Sequence, residues 1–439
     1  MKKHVNTDRN QVPVGTRIGK LAKFSLLAGA AILTACASGP QQTEAPTLAA
    51  TTVLSKLSNP WDMAFLPDGT MFFTEKCKGL SVRTAAGPVN RLLGMKDAAG
   101  YPATASDLFC DGQAGMSGVA VDPNFASNRY IYVYSVSSMV SPPTNRVMRF
   151  TVGADNTRLS DRKDIVTDIP YKNAKSNHPF GDTGAHNGGR VRFGPSDGFL
   201  YVTTGDNHNG EIPQSPTRIG GKVLRIDRDG MAAAGNNAPQ GFDPRIYAYG
   251  FRNPQGIAFR PGTNQPVTAE NGPWHSDEVT ALVAGGNGGW DPRPNMSGRG
   301  ECPDKYCGYS PNQMVAMDNK LRAEFMPMTD LRTYPNAMKP AWNNDGMSQG
   351  LSSGEFLKGK QWKSWDGRMV VSFMGIGIHG TAVGNRLDVL DISADGSSAT
   401  RTTASLPMPA GRFRSVVQGP DGNLYVATDE GEIYRMTPN

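Results

Sequence analysis

"GPSDGFLYVTTGD", residues 194–206, joins a tight turn to a short strand. Asp197-Gly198 is a pair that accepts the backbone angles of a sharp reversal, and "FLYVTT" supplies the β-branched and aromatic side chains that favour strands. The same unit returns as "LPDGTMFFTEK" (66–76) and "GPDGNLYVATDEG" (419–431). Looser copies are "VDPNFASNRYIYVYS" (121–135), "FRPGTNQPVTAENG" (259–272) and "WDGRMVVSFM" (365–374). Spread along the chain, these copies give a unit of roughly 60–70 residues, room for four short strands and a connecting loop. Glycine (51) and proline (32) are frequent, and long helical periodicity is hard to find. An all-β chain must dispose of its sheet edges; radial blades do so and leave a central channel ringed by loops. The spacing predicts an all-β fold, a six-bladed β-propeller, as one domain over residues 51–439. Two packed β-sandwiches are the structural alternative.

The N-terminus reads differently. In residues 1–35, Lys2, Lys3, Arg9, Arg17, Lys20 and Lys23 face Asp8 alone, so most of the formal net charge of +6 is local to this leader. The body is nearly neutral and gives no reason to expect nucleic acid or a polyanionic partner. "FSLLAGAAILTAC" (24–36) is too short an apolar core to span a bilayer and reads as a signal peptide. Its end, "LTAC", resembles a bacterial lipobox, which makes Cys36 the lipidated first residue of the mature chain. An ordinary signal peptide with a chance cysteine is the alternative. Residues 36–50 then read as a polar tether. The expectation is an exported bacterial lipoprotein on the periplasmic side of a membrane, the outer membrane first among the choices, touching lipid only through its anchor. Export makes disulfides the natural use of the other four cysteines: Cys302 with Cys307, and Cys77 with Cys110. A metal site competes, but the spacings match no zinc pattern.

Four stretches concentrate polar chemistry. His186 lies just before a strand and Asp206 just after the next one, so both fall at one rim of a blade. There the carboxylate can orient the imidazole as a general base. In "TAENGPWHSDEV" (268–279), Gly272 and Pro273 can turn carbonyls outward while Asp277 and Glu278 supply carboxylates, a hard-oxygen set that suits calcium. In "GRFRSVVQGPDG" (411–422), Arg412 and Arg414 alternate along a strand and point one way, inviting a carboxylate or phosphate. Finally, "GFRNPQGIAF" (250–259) holds the guanidinium of Arg252 beside the amide of Asn253 between two strands. A loop histidine, a solvated acidic turn and an exposed basic pair are the plain alternatives for the first three.

From "NPWDMAFLPDG" (59–69) to the last blade, the chain resembles the soluble pyrroloquinoline quinone (PQQ)-dependent glucose and aldose sugar dehydrogenases. The ordered string "YGFRNPQGIAF", "ENGPWHSDEV" and "GGNGGW" carries the likeness. The resemblance implies a propeller with quinone and calcium at the mouth of its channel. It implies His186 as the base for the anomeric hydroxyl, Asp206 as its orienting partner, and Gln113 in "DGQAGMSG" as a contact to sugar and cofactor. Arg252 and Asn253 would hydrogen-bond the quinone oxygens, and Arg252 with calcium would polarise the C5 carbonyl as hydride leaves the sugar C1. The carbonyls of Gly272 and Pro273 would hold the catalytic calcium, Arg412 and Arg414 the cofactor's carboxylates, and Asp277 and Glu278 a second, structural calcium. An aldose would leave as a lactone, with electrons passed to an external acceptor.

The chain departs from that pattern in places. Ala185 precedes the histidine. Met374 or Gly375, in "VVSFMGIG" (370–377), stands where the resemblance calls for a lysine; Lys358, Lys360 or His379 are the candidates to replace it, and Ser348 stands for a threonine. The insert "MSGRGECPDKYCGYSPNQ" (296–313) would reshape the sugar pocket. Two rival functions are a calcium-dependent lactonase-type hydrolase and an anchored propeller that binds a glycan or protein without redox chemistry. The first leaves "GFRNPQG" and the arginine pair unexplained.

Overall fold

The computed structural model describes residues 44–173, 182–293, 319–376, 384–403 and 405–439. The leader, Cys36, the Cys302–Cys307 pair with its insert, and His379 lie outside the described residues.

The strands form six sheets, each built mainly from consecutive antiparallel strands. Blade 1 opens with Pro60–Phe65 and Met71–Glu75, blade 2 with Met116–Val121 and Tyr130–Ser137, and blade 3 with Gly188–Phe193 and Leu200–Thr204. Blade 4 opens with Pro254–Phe259 and Pro266–Glu270, blade 5 with Leu351–Phe356 and Met369–Phe373, and blade 6 with Phe413–Gln418 and Leu424–Thr428. The first strand of each blade touches the first strand of the next, around a closed ring. The expected six-bladed propeller is therefore the fold.

Closure comes from the chain ends. Leu48–Leu54 pairs antiparallel with Ile433–Pro438, so the N-terminal strand completes blade 6. This strand begins inside the stretch read as tether, because its backbone satisfies the edge of the last blade.

The repeated Asp-Gly unit forms the hairpin between the first two strands. Asp68, Asp197 and Asp421 each accept a hydrogen bond through Oδ1 from the N–H two residues on, at 2.8, 3.1 and 3.2 Å. Each following glycine takes a positive φ (89°, 65° and 77°), which only glycine adopts without strain. Apolar residues after each turn fill the gaps between blades. Phe72 and Met148 belong to the cluster between blades 1 and 2, Tyr132 and Leu224 to that between 2 and 3, and Val223 and Ile257 to that between 3 and 4. Val279 and Phe373 belong to the gap between blades 4 and 5, Val370 and Val426 to the next, and Phe73 and Ala427 to the last. The core is thus divided among the blade interfaces rather than gathered at one centre.

Arg190, on the first strand of blade 3, bonds to four other blades. Its guanidinium donates to Asp62 of blade 1, to the Gln255 carbonyl of blade 4 at 2.9 Å, to the Ser352 carbonyl of blade 5 at 3.4 Å and to Ser415 Oγ of blade 6 at 3.0 Å. It lies 4.3 Å from the centre of the Trp61 ring. Because the first strands line the ring, this fully buried arginine ties the blades together across the channel.

Candidate active site

With the Asp-Gly hairpins at one face, the other face collects the starts of the first strands and the ends of the second. A cavity of about 920 Å³ opens there, and every blade contributes to its lining. Lys76 and Asp429 follow second strands; His186, Arg252 and Arg412 precede first strands. The topology therefore brings together residues separated by hundreds of positions in sequence.

His186 and Asp206 meet as expected. His186 Nδ1 lies 2.7 Å from Asp206 Oδ1, and both side chains are buried. The same carboxylate oxygen accepts the His208 N–H at 2.9 Å, and Oδ2 accepts the indole N–H of Trp290 at 2.8 Å. With Nδ1–H donated to a carboxylate, the lone pair of His186 resides on Nε2. His186 also has φ 52°, an uncommon backbone for a residue with a side chain, between Gly184 and Gly188, which are positive as well. His208 stacks on it, with ring centres 3.7 Å apart. Burial first, then the neighbouring His186 and Arg252, hold His208 well below the ordinary histidine range, so it is neutral at pH 7. His208 and Trp290 were not anticipated: Trp290 ends the string "GGNGGW" and His208 lies two residues beyond Asp206, but neither has a local signature of its role.

Arg252 and Asn253 occupy the loop into blade 4. Glu270, buried on the neighbouring strand, accepts both of their backbone N–H groups through Oε1. Arg252 Nη1 donates to the carbonyl and side-chain oxygens of Asn271, at 2.8 and 3.0 Å. Asn253 Oδ1 accepts the Gly188 N–H at 3.0 Å, which ties this pair to the histidine loop. Burial pushes the Glu270 carboxyl up to about 8, against the backbone N–H bonds from Arg252 and Asn253 that pull it down.

Asp277 organises the turn at Gly272. Its Oδ1 accepts the Gly272 N–H at 2.9 Å and the Ser348 hydroxyl at 2.6 Å; its Oδ2 accepts the Gln349 N–H at 2.6 Å. A Cβ at Gly272 would lie 1.9 Å from the His275 carbonyl oxygen, so only glycine allows the turn to close. Gly272 lines the cavity and Pro273 is buried beside it. Glu278 has other partners: it accepts the Thr329 hydroxyl at 2.9 Å and stands directly across the strand pair from Glu270. Asp277 and Glu278 thus serve different surroundings.

Arg412 and Arg414 do point the same way, and both reach Asp429. Arg414 grips it with two bonds, at 2.8 and 2.7 Å, while Arg412 lies 3.3 Å away and also donates to the Gly375 carbonyl at 3.2 Å. Burial raises Asp429, but the two guanidiniums outweigh it and leave the carboxyl below its usual value. Gln113 is exposed on the cavity wall, its N–H donated to the Thr183 carbonyl at 3.0 Å. Ser348 and Met374 also line the wall. Lys358 and Lys360 are exposed and are not among the cavity's lining residues. Cys77 and Cys110 form the expected disulfide, with Cα atoms 5.1 Å apart.

Residues 57–435 match the glucose / sorbosone dehydrogenase family. The chain belongs to that family. It is 26% identical over 387 residues to aldose sugar dehydrogenase YliI of Escherichia coli (strain K12), spanning 87% of this chain and 91% of the relative. It is 26% identical over 437 residues to quinoprotein glucose dehydrogenase B of Acinetobacter calcoaceticus, spanning 86% and 84%. Among solved structures, the PQQ-bound aldose sugar dehydrogenase of Streptomyces coelicolor superposes with a TM-score of 0.64 at 22% identity, covering 90% of this chain and all of the other. That last likeness concerns the fold. Family membership makes the chain an oxidoreductase of the sugar dehydrogenase type, and the site's histidine, arginines and glycine turn are those of the strings read at the start.

Proposed function

We propose that this protein is a quinoprotein aldose sugar dehydrogenase. It would oxidise the anomeric C1 hydroxyl of an aldose to a lactone with PQQ and calcium, and pass electrons to an external acceptor. The observation that carries this reading is one cavity that holds a carboxylate-oriented histidine, an Arg-Asn pair, a glycine turn and an arginine pair.

The residues fit the groups. Calcium favours hard oxygen donors, and the Asp277 carboxylate, by accepting the Gly272 N–H, closes the turn that carries the Gly272 and Pro273 carbonyls. A planar tricarboxylate needs cations, and Arg412 and Arg414 share a single carboxylate between them. A second, structural calcium is proposed at Asp277 and Glu278, with Glu270 facing Glu278 across the strand pair. When bound, PQQ supplies a two-electron acceptor for hydride, and calcium a Lewis acid on its carbonyl.

The chain's own part is positional and acid–base. His186 Nε2 takes the proton of the anomeric hydroxyl, and Asp206 stabilises the imidazolium that forms. Arg252 donates hydrogen bonds at the reacting edge, and Asn253 fixes that arginine's loop to the histidine loop. The rival hydrolase has no use for the arginine pair.

The address is also a proposal: a lipid anchor at Cys36 on the periplasmic side of the membrane, supported by the lipobox-like "LTAC".

The test is dye-linked oxidation of an aldose panel by apo-protein, with and without added PQQ and calcium. Activity that needs both and vanishes in His186→Ala is expected. No activity, together with no quinone binding by calorimetry, would turn the reading toward a binding propeller.

A further inference from the structure

We infer that Lys76 is a cofactor-binding cation of this cavity, placed by the Cys77–Cys110 disulfide, and that it supplies the charge absent at Met374. The inference rests on the quinone reading above and names a contact to the cofactor's carboxylates.

Lys76 directly follows the second strand of blade 1. That is the rim position taken by Asp429 in blade 6 and by Met374 in blade 5. It lines the cavity, and its ammonium donates to the Gly112 carbonyl at 3.0 Å, one residue before Gln113. The backbone around it is pinned. The Lys76 N–H donates to the Asn59 carbonyl at 3.0 Å, and the Lys76 carbonyl accepts the Met116 N–H at 2.9 Å. A Cβ at Gly115 would lie 2.2 Å from that carbonyl oxygen, so glycine lets the Gln113 loop lie directly on Lys76. The disulfide joins the next residue, Cys77, to Cys110, which is just ahead of Gly112 and Gln113. One covalent clamp therefore brackets two cavity residues from segments that are otherwise separate.

Charge counting gives the position a use. A tricarboxylate brings three negative charges, whereas Asp429 already answers one of the two arginines on blade 6. Met374, where a lysine is called for, is buried and apolar. Lys358 and Lys360 are exposed elsewhere. Lys76 sits in the field of Arg414 as well as that of Asp429. Burial first and then Arg414 make its ammonium easier to deprotonate, against Asp429, and the negative charge of an incoming carboxylate would act in the same direction as Asp429. The ammonium has three donors and spends one on Gly112.

The experiment is calorimetric titration of PQQ into calcium-loaded apo-protein, read as Kd and requiring no turnover. Lys76→Met should weaken binding by roughly 10- to 100-fold, the range for losing a charged hydrogen bond. Lys76→Arg should stay within about threefold, and Lys76→Met with Met374→Lys should recover most of the loss. Should Lys76→Met fail to fold, Lys76→Gln carries the same test, since it keeps a donor for Gly112 without the charge. Wild-type affinity in Lys76→Met or Lys76→Gln would overturn the role of Lys76 while leaving the quinone reading intact. A wild-type protein that binds no PQQ would overturn both.

Discussion

Asp206 holds His186 by one carboxylate oxygen at 2.7 Å and is itself held through the other by the Trp290 indole at 2.8 Å. The imidazole therefore has one tautomer and one orientation, set by a carboxylate that is buried and cannot swing. The stacked His208 prevents the ring from tilting. Asp206→Asn should lower kcat by about 10²–10⁴-fold, the range for losing a positioned base, with KM for the aldose changed far less. Trp290→Phe should cost about tenfold in kcat, because it removes one hydrogen bond behind the pair. Steady-state dye-linked kinetics with saturating cofactor measures both. Equal loss in kcat and rise in KM would instead point to a collapsed cavity.

Asp62 and Arg190 form the buried pair that spans the channel, with Arg192 adding two bonds of 2.7 Å to the same carboxylate. Asp62→Ala should destabilise the fold by about 3–5 kcal/mol, because it strands a guanidinium inside the protein. Urea unfolding monitored by tryptophan fluorescence measures this. The pair also sets an acid limit. Burial raises Asp62, but Arg190 and Arg192 outweigh it, so its carboxyl titrates below the ordinary value of 3.8. Unfolding then takes up a proton as the pH falls. The stabilisation is complete above the unfolded-state value and is lost as pH drops through the folded one. The urea midpoint of the wild type should fall between about pH 5 and the folded-state value, and more steeply than that of Asp62→Asn.

The turn at Gly272 has no room for a side chain. A Cβ would lie 1.9 Å from the His275 carbonyl oxygen and 2.7 Å from that of Ser276. Gly272→Ala should therefore open the turn and displace the carbonyls proposed for calcium. The expected result is at least a tenfold higher calcium concentration for half-maximal activity. The rise in melting temperature on adding calcium should shrink in parallel, which scanning calorimetry would record. Asp277→Asn should act in the same direction, since Asp277 closes the turn from the other side.

Much of this was legible because the relevant signals are local. Asp197-Gly198 and its copies announce hairpins through turn chemistry, and their spacing counts the blades. His186, Asp206, Arg252 and Arg412 could be proposed because each falls in a short string beside a strand end. What escaped depends on distance in sequence. Arg190 sits four positions after His186, yet nothing local tells that it bonds to Asp62, 128 positions away. Lys76 closes the quoted unit "LPDGTMFFTEK", and a lysine after a strand usually signals only solvent. Glu270 was likewise in view, but its service to the N–H groups of Arg252 and Asn253 exists only once the two loops meet. Asp277 was legible as a carboxylate in a turn, but that it also accepts the Gly272 and Gln349 N–H groups emerges only once the turn is closed.

Arg412 and Arg414 should separate in experiment, although they alternate on one strand and face the same cavity. Arg414 gives Asp429 two short bonds and donates to Gln255 at 3.2 Å, so it supports blade 6 against blade 4. Arg412 makes a longer bond to Asp429 and otherwise reaches the Gly375 carbonyl. Arg412→Met should weaken PQQ binding by roughly tenfold and leave the melting temperature nearly unchanged, since Arg414 continues to answer Asp429. Arg414→Met should weaken binding by a similar factor and also lower stability by about 3 kcal/mol, because it removes the main partner of a largely buried carboxylate. Calorimetric titration of PQQ and urea unfolding of the same two variants give the four numbers required. If both variants lose stability equally, the carboxylate is shared evenly and the division of labour drawn from the bond lengths is wrong.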